Sequence, residues 1–104
     1  GPVVQVRIKT ATLGIGEADQ LTAEVIEAMQ ALGPRAIINF DAVDAIASAG
    51  LSALVRIHNS AKEHKGAVAF YHCSPNLIDG FKLTRLHRLF KIAKSEAAAV
   101  KAVT

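Results

Sequence analysis

Ala36-Ile37-Ile38-Asn39-Phe40-Asp41-Ala42-Val43-Asp44-Ala45-Ile46-Ala47-Ser48-Ala49-Gly50-Leu51 is the stretch on which the fold turns. Its first five residues form a nearly continuous apolar run, as expected of a central strand covered on both faces. The polar segment from Asp41 to Asp44 reads as a turn. Small residues then lead through Ile46-Ala47-Ser48-Ala49-Gly50 into a helix. Its apolar positions, Leu51, Leu54, Val55, His58 and Ala61, recur at steps of three and four. A covered strand followed by an amphipathic helix predicts an α/β layered domain.

The flanking segments extend the pattern. Val4, Val6 and Ile8 alternate with Gln5, Arg7 and Lys9, the period of a half-exposed strand. The alternation shifts phase to Ala11, Leu13 and Ile15, which predicts a bend near Lys9-Thr10 and a second strand. Asp19 is placed to cap a helix with the buried stripe Leu21, Val25, Ala28, Met29 and Leu32, and Gly33-Pro34 ends it. After the central helix, Gly66 is a stop, and Ala67 to Cys73 reads as another buried strand. Ser74-Pro75 is a strong helix start, a capping hydroxyl followed by proline at the first helical position. Leu77, Ile78 and Phe81 supply that helix's apolar side. A short strand near Leu89 to Ile92 and a last helix begun at Ser95 complete the chain. The expected order is β-β-α-β-α-β-α-β-α: a single domain over residues 1–104, with about four helices on a mixed sheet of four to five strands.

Composition bounds the function. A chain of 104 residues suits one domain and can bury an ordinary core without metal or disulfide. With 51% apolar and 20% charged residues it reads as globular. Four Phe, one Tyr and no Trp predict a core of Ala, Val, Ile and Leu. No apolar run approaches the ~20 residues of a membrane span, and nothing resembles a signal peptide. The lone Cys73 suits a reducing compartment, so the expected location is the cytoplasm. The opening Gly1-Pro2 reads as the remnant of a cleaved purification tag. Charge is asymmetric: residues 1–52 hold three Lys/Arg against six Asp/Glu, and residues 53–104 hold nine against three. A basic half can meet nucleic acid, acidic lipid or an acidic protein, or simply be a solvated surface. Stacking aromatics do not interleave the basic positions, which argues against direct nucleic-acid binding.

Catalytic patterns are missing. His58, His64, His72 and His87 have no metal-ligand spacing, and a zinc site would want His at i, i+4 or a compact cluster. His72 and Cys73, adjacent on a strand, point to opposite faces, the wrong geometry for an activated thiolate. Gly14-Ile15-Gly16 is too short for a dinucleotide loop and reads as a turn into the first helix. The chain therefore reads as a non-enzyme that needs no cofactor. At Ser48, local chemistry assigns an N-cap worth ~1 kcal/mol. That position also tolerates added negative charge, because the orphan amides and dipole of a helix N-terminus favour it.

Three stretches carry a family resemblance: Gly16-Glu17-Ala18-Asp19, the turn from Asp41 to Leu51, and Phe81-Lys82-Leu83-Thr84-Arg85-Leu86-His87-Arg88-Leu89-Phe90-Lys91-Ile92. In order and spacing they resemble the STAS family, in particular the bacterial anti-sigma-factor antagonists. The resemblance implies a protein-binding module in partner switching, a form of transcription regulation and signal transduction. Its phospho-acceptor falls on Ser48, the aspartate near the acceptor on Asp19, and the glycine after it on Gly50. The implied binding surface comprises Gly16, Asp19, Ala47, Ser48, Ala49, Gly50, Leu51 and Ser52. In such systems the unphosphorylated antagonist binds an anti-sigma factor that is also a serine kinase. Phosphorylation releases it, a phosphatase resets it, and ATP belongs to the kinase. Ala47 departs from the family's aspartate before the acceptor. Arg85 replaces a late glycine, which predicts a slightly different turn there. Within the family, the competing role is an accessory subunit docked on the ATPase of a lipid or anion ABC-type transporter. A nucleotide-binding sensor is a third, without a phosphate-cradling loop to support it.

Overall fold

In chain order the elements are β1 (Val4–Arg7), β2 (Thr12–Leu13), α1 (Ile15–Leu32), β3 (Arg35–Asn39), β4 (Ala45–Ile46), α2 (Ser48–Glu63), β5 (Ala67–Tyr71), α3 (Pro75–Leu83), a 3-10 turn (Leu86–Arg88), β6 (Lys91–Ala93) and α4 (Glu96–Val103). They come from a computed structural model that describes residues 2–104. The tag reading of Gly1-Pro2 falls partly on Gly1, outside the described residues.

The α/β class and the four helices are as the sequence predicts. The main sheet has the order β1-β3-β5-β6, and every pair in it is parallel rather than mixed. The reason is connectivity. Each strand from β1 to β5 returns through a helix, and a crossover restores the strand direction. The second strand, expected in the same sheet, leaves it to pair with β4, in a segment whose small residues predict a loop. Only Thr12 and Leu13 are extended; Ile15 already opens α1.

Helices α1, α2 and α3 cover one face of the main sheet, where Val4 and Ile8 meet Leu21, Val25, Leu54, Ile57, Leu77 and Phe81. Helix α4 covers the other, setting Ala99 and Val103 against Ile37, Ala69 and Tyr71. The aromatic expectation is corrected. All four Phe are buried, and they pack on one another with Phe70 at the centre, its ring 5.0 Å from Phe40 and 4.8 Å from Phe90. Four rings suffice because β3, β5, α3 and the start of β6 converge on one spot.

Local signals read well at several ends. Ser74 Oγ accepts from the Leu77 amide (3.2 Å) and Ser95 Oγ from that of Ala98 (3.1 Å). Gly33 ends α1 at φ 124°. Others move. The cap of α1 is Gly14 rather than Asp19, and the Glu17 carboxylate accepts from the Gly14 amide at 3.2 Å. At the end of α2 the left-handed residue is Lys65 (φ 62°), not Gly66. Strand β5 ends at Tyr71 because His72 is also left-handed (φ 57°), which leaves Cys73 beyond the strand. Burial pushes the Cys73 thiol up to about 12, so it holds no thiolate at neutral pH.

Arg85 corrects a further expectation. The turn keeps its left-handed geometry (φ 62°, ψ 12°), and arginine adopts it. A side chain at positive φ costs ~1–2 kcal/mol, partly offset by the larger chain entropy glycine loses on folding. Arg85→Gly is therefore expected to stabilise the domain by about 1 kcal/mol, raising the thermal midpoint by roughly 4–8 °C. A midpoint at or below wild type in a calorimetric scan would refute this.

Candidate functional site

The small sheet decides the site. Leu13 pairs in register with Ile46, and each of these strands runs directly into a helix. The N-termini of α1 and α2 are therefore held side by side. The Ala47 amide donates to Leu13 O at 3.1 Å, locking the start of α2 to the residue before the cap of α1. Both helix starts lie at the end of the molecule where the strands of the main sheet terminate. This is the edge at which α/β sheets commonly present their binding loops.

Gly50 makes this approach possible. It is buried in the first turn of α2, and a Cβ there would lie 2.6 Å from Leu13 O and 2.7 Å from Ile46 Cγ2. Any larger residue would push α2 away from β2. Its role is thus close packing behind the exposed surface.

Ser48 is exposed, but it is not the N-cap that local chemistry assigns. The cap is Ala47, in extended conformation, and Ser48 is the first helical residue. The first helical hydrogen bond runs from the Leu51 amide to Ala47 O (3.1 Å). Alanine offers no side-chain acceptor, so among the described residues none caps α2, and its first turn holds no acidic residue. The amides of Ser48, Ala49 and Gly50 thus belong to the set every helix N-terminus leaves free. Negative charge on the Ser48 hydroxyl would meet those amides and the positive end of the helix dipole.

The remaining predicted residues fall on the same end. Ala49 and Leu51 are half-buried, and Ser52, one turn after Ser48, is exposed. Gly16 lies open in the first turn of α1. Asp19 is an exposed helical residue whose carboxylate sits 3.9 Å from the guanidinium of Arg56. Between two solvated side chains such a pair contributes little energy, but it ties α1 to α2 across the site. The structure thus brings all eight predicted residues onto two adjoining helix starts.

Two neighbours escaped the sequence reading. The alternation of Ala11, Leu13 and Ile15 puts Ile15 on a strand, yet it is the first residue of α1 and 73% exposed. Its apolar side chain stands in solvent at the start of the helix that adjoins α2. Arg56 went unnoticed because only the packing of α1 on α2 brings it to Asp19. Among the described residues no group of three or more His, Cys, Asp or Glu could hold a metal ion, and no helix is long and apolar enough to cross a membrane.

Parallel strands, a side sheet joining two helix starts, and an exposed serine on the second define an α/β domain that presents two adjoining helix starts at one end. The chain belongs to the STAS domain family, which it matches over residues 2–99. Solved structures share the fold. A protein assigned as an anti-sigma factor antagonist from Thermotoga maritima superposes with a TM-score of 0.82 at 22% identity, over 94% of this chain and 86% of that one. An anti-sigma-factor antagonist (STAS) domain protein from Planctomyces limnophilus gives 0.76 at 24%, over 90% and 81%. The phosphorylated form of the Bacillus cell fate determinant SpoIIAA gives 0.68 at 19%, over 96% and 88%. No curated protein sequence matches the chain.

Proposed function

We propose that this domain is an anti-sigma-factor antagonist acting by partner switching. Unphosphorylated, it binds an anti-sigma factor that is also a serine kinase, through the paired starts of α1 and α2. Phosphorylation of Ser48 ends the complex, and a phosphatase restores it. The observation that carries the reading is the exposed Ser48 hydroxyl at the first position of a helix with no side-chain cap. A kinase can reach it. The resulting phosphate is accommodated by free amides, so the fold survives while the surface gains about −1.5 to −2 charges. Membership of the STAS family and the fold shared with anti-sigma-factor antagonists support the choice of partner.

The Ala47 departure fits this scheme. An aspartate there would cap α2 itself and compete with the phosphate for the same amides. With alanine, the phosphate is the first anion those amides meet. The test is incubation with the cognate anti-sigma kinase and ATP, followed by mass spectrometry of wild type and Ser48→Ala. One phosphate on Ser48 of the wild type and none on the variant is expected. Modification elsewhere, or none, overturns the switch.

A further inference from the structure

At the opposite end of α2, about 24 Å from Ser48 by helix length, lies a cleft of about 510 Å³. Five cationic side chains line it: Arg35 at the start of β3, Lys62 and Lys65 at the end of α2, Arg88 in the 3-10 turn, and Lys91 at the start of β6. No Asp or Glu lines it. His58 also lines it and is only 9% exposed, and its Nε2 is buried without a hydrogen-bond partner.

A plain solvated surface accounts poorly for this set. Lysines at a helix C-terminus commonly serve its last carbonyls. Here the backbone does that already, with the Gly66 amide on Ala61 O (2.8 Å) and the Lys65 amide on Lys62 O (3.1 Å). Arg35, Arg88 and Lys91 come from other elements and have no such role. Among the described residues none of the five forms an ion pair within 4.0 Å. Lys65 also occupies a left-handed position (φ 62°), where glycine would cost less.

We propose that this cleft binds a soluble phosphorylated anion carrying at least two negative charges, with its phosphate oxygens on the arginines and lysines. Its volume lies within the ~300–1,000 Å³ of small-molecule sites. The guanidinium forks of Arg35 and Arg88 match phosphate oxygens in pairs, and the lysines add point charge. Burial, then Lys62, then Lys91 hold the imidazole below its ordinary pKa, and a bound anion offsets the two lysines. The site is separate from the serine surface and does not depend on the partner-switching reading.

The experiment is a titration with pyrophosphate at about 0.15 M NaCl, a salt level that screens diffuse surface attraction. It is followed by calorimetry and by NMR of the His58 ring. Saturable binding, with a rise in the His58 pKa, is expected for wild type and for Ser48→Ala. Arg88→Ala and Lys91→Ala, both at exposed positions, are expected to weaken it about tenfold or more each, since each removes a charge-assisted contact. Binding unaffected by these variants, or no change at His58, overturns the proposal. So does attachment to phosphatidylcholine vesicles containing phosphatidic acid without binding of pyrophosphate, which would make the basic end a membrane-contact surface instead.

Discussion

Replacing Gly66 with alanine is expected to destabilise the fold by about 3 kcal/mol or more, lowering its thermal midpoint by roughly 12–24 °C. Gly66 joins the end of α2 to β5 and lies against Pro34, which joins α1 to β3. A Cβ on Gly66 would stand 1.7 Å from Pro34 O and 2.5 Å from Pro34 Cβ. Backbone atoms cannot rotate aside as a side chain can. Relief would require β3 and β5 to part where the Ala67 amide donates to Pro34 O at 2.9 Å, and these two strands are the centre of the sheet. Gly80 provides the opposite control. It lies in the interior of α3 with open space where its Cβ would be, so Gly80→Ala is expected to stabilise by about 0.5–1 kcal/mol. Urea denaturation of both variants checks the pair. A Gly66→Ala protein as stable as wild type would mean that the two junctions are not packed as described.

That contrast shows what a sequence read alone can carry. Both glycines look like loop or helix punctuation, and only the fold brings Pro34 to Gly66. The parts that were legible obey local rules: Ser74 and Ser95 cap the helices that follow them, and the apolar runs Ala36–Phe40 and Ala67–Cys73 fall on the buried strands Arg35–Asn39 and Ala67–Tyr71. The parts that were not legible depend on distant partners. β2 and β4 have two residues each and exist because Leu13 and Ile46 pair, which no period of two could announce. Asp19 looked like a cap because Gly14 has no side chain with which to advertise one. Lys65 and Arg85 sit in left-handed turns that residue type argues against. The start of α2 was legible to within one residue: the helix begins at Ser48, but Ala47 caps it. That shift turns Ser48 from a bonded cap into a free hydroxyl.

The free hydroxyl sets the size of the effect expected of Ser48→Asp. Under the partner-switching reading, the substitution is expected to weaken binding to the anti-sigma factor about 100-fold while leaving the thermal midpoint unchanged or a few degrees higher. The two halves have separate causes. In the free domain the new carboxylate lies in the first turn of α2, beside free amides and the positive end of the dipole, an arrangement worth ~0.3–1 kcal/mol. In the complex it would be buried among apolar contacts such as Ile15 and near Asp19. Desolvating an unpaired charge at an interface costs about 3 kcal/mol or more, and 1.4 kcal/mol is about a factor of ten. Ser48→Asn separates charge from size: it has nearly the shape of aspartate without a net charge, so it is expected to bind within about threefold of Ser48→Ala. Isothermal titration of the three variants against the partner, alongside thermal scans, measures both halves. Equal affinities for aspartate and asparagine would remove charge as the basis of release. A midpoint lowered by ten degrees or more in Ser48→Asp would show instead that the serine is structural, and that the start of α2 cannot accept a phosphate without unfolding.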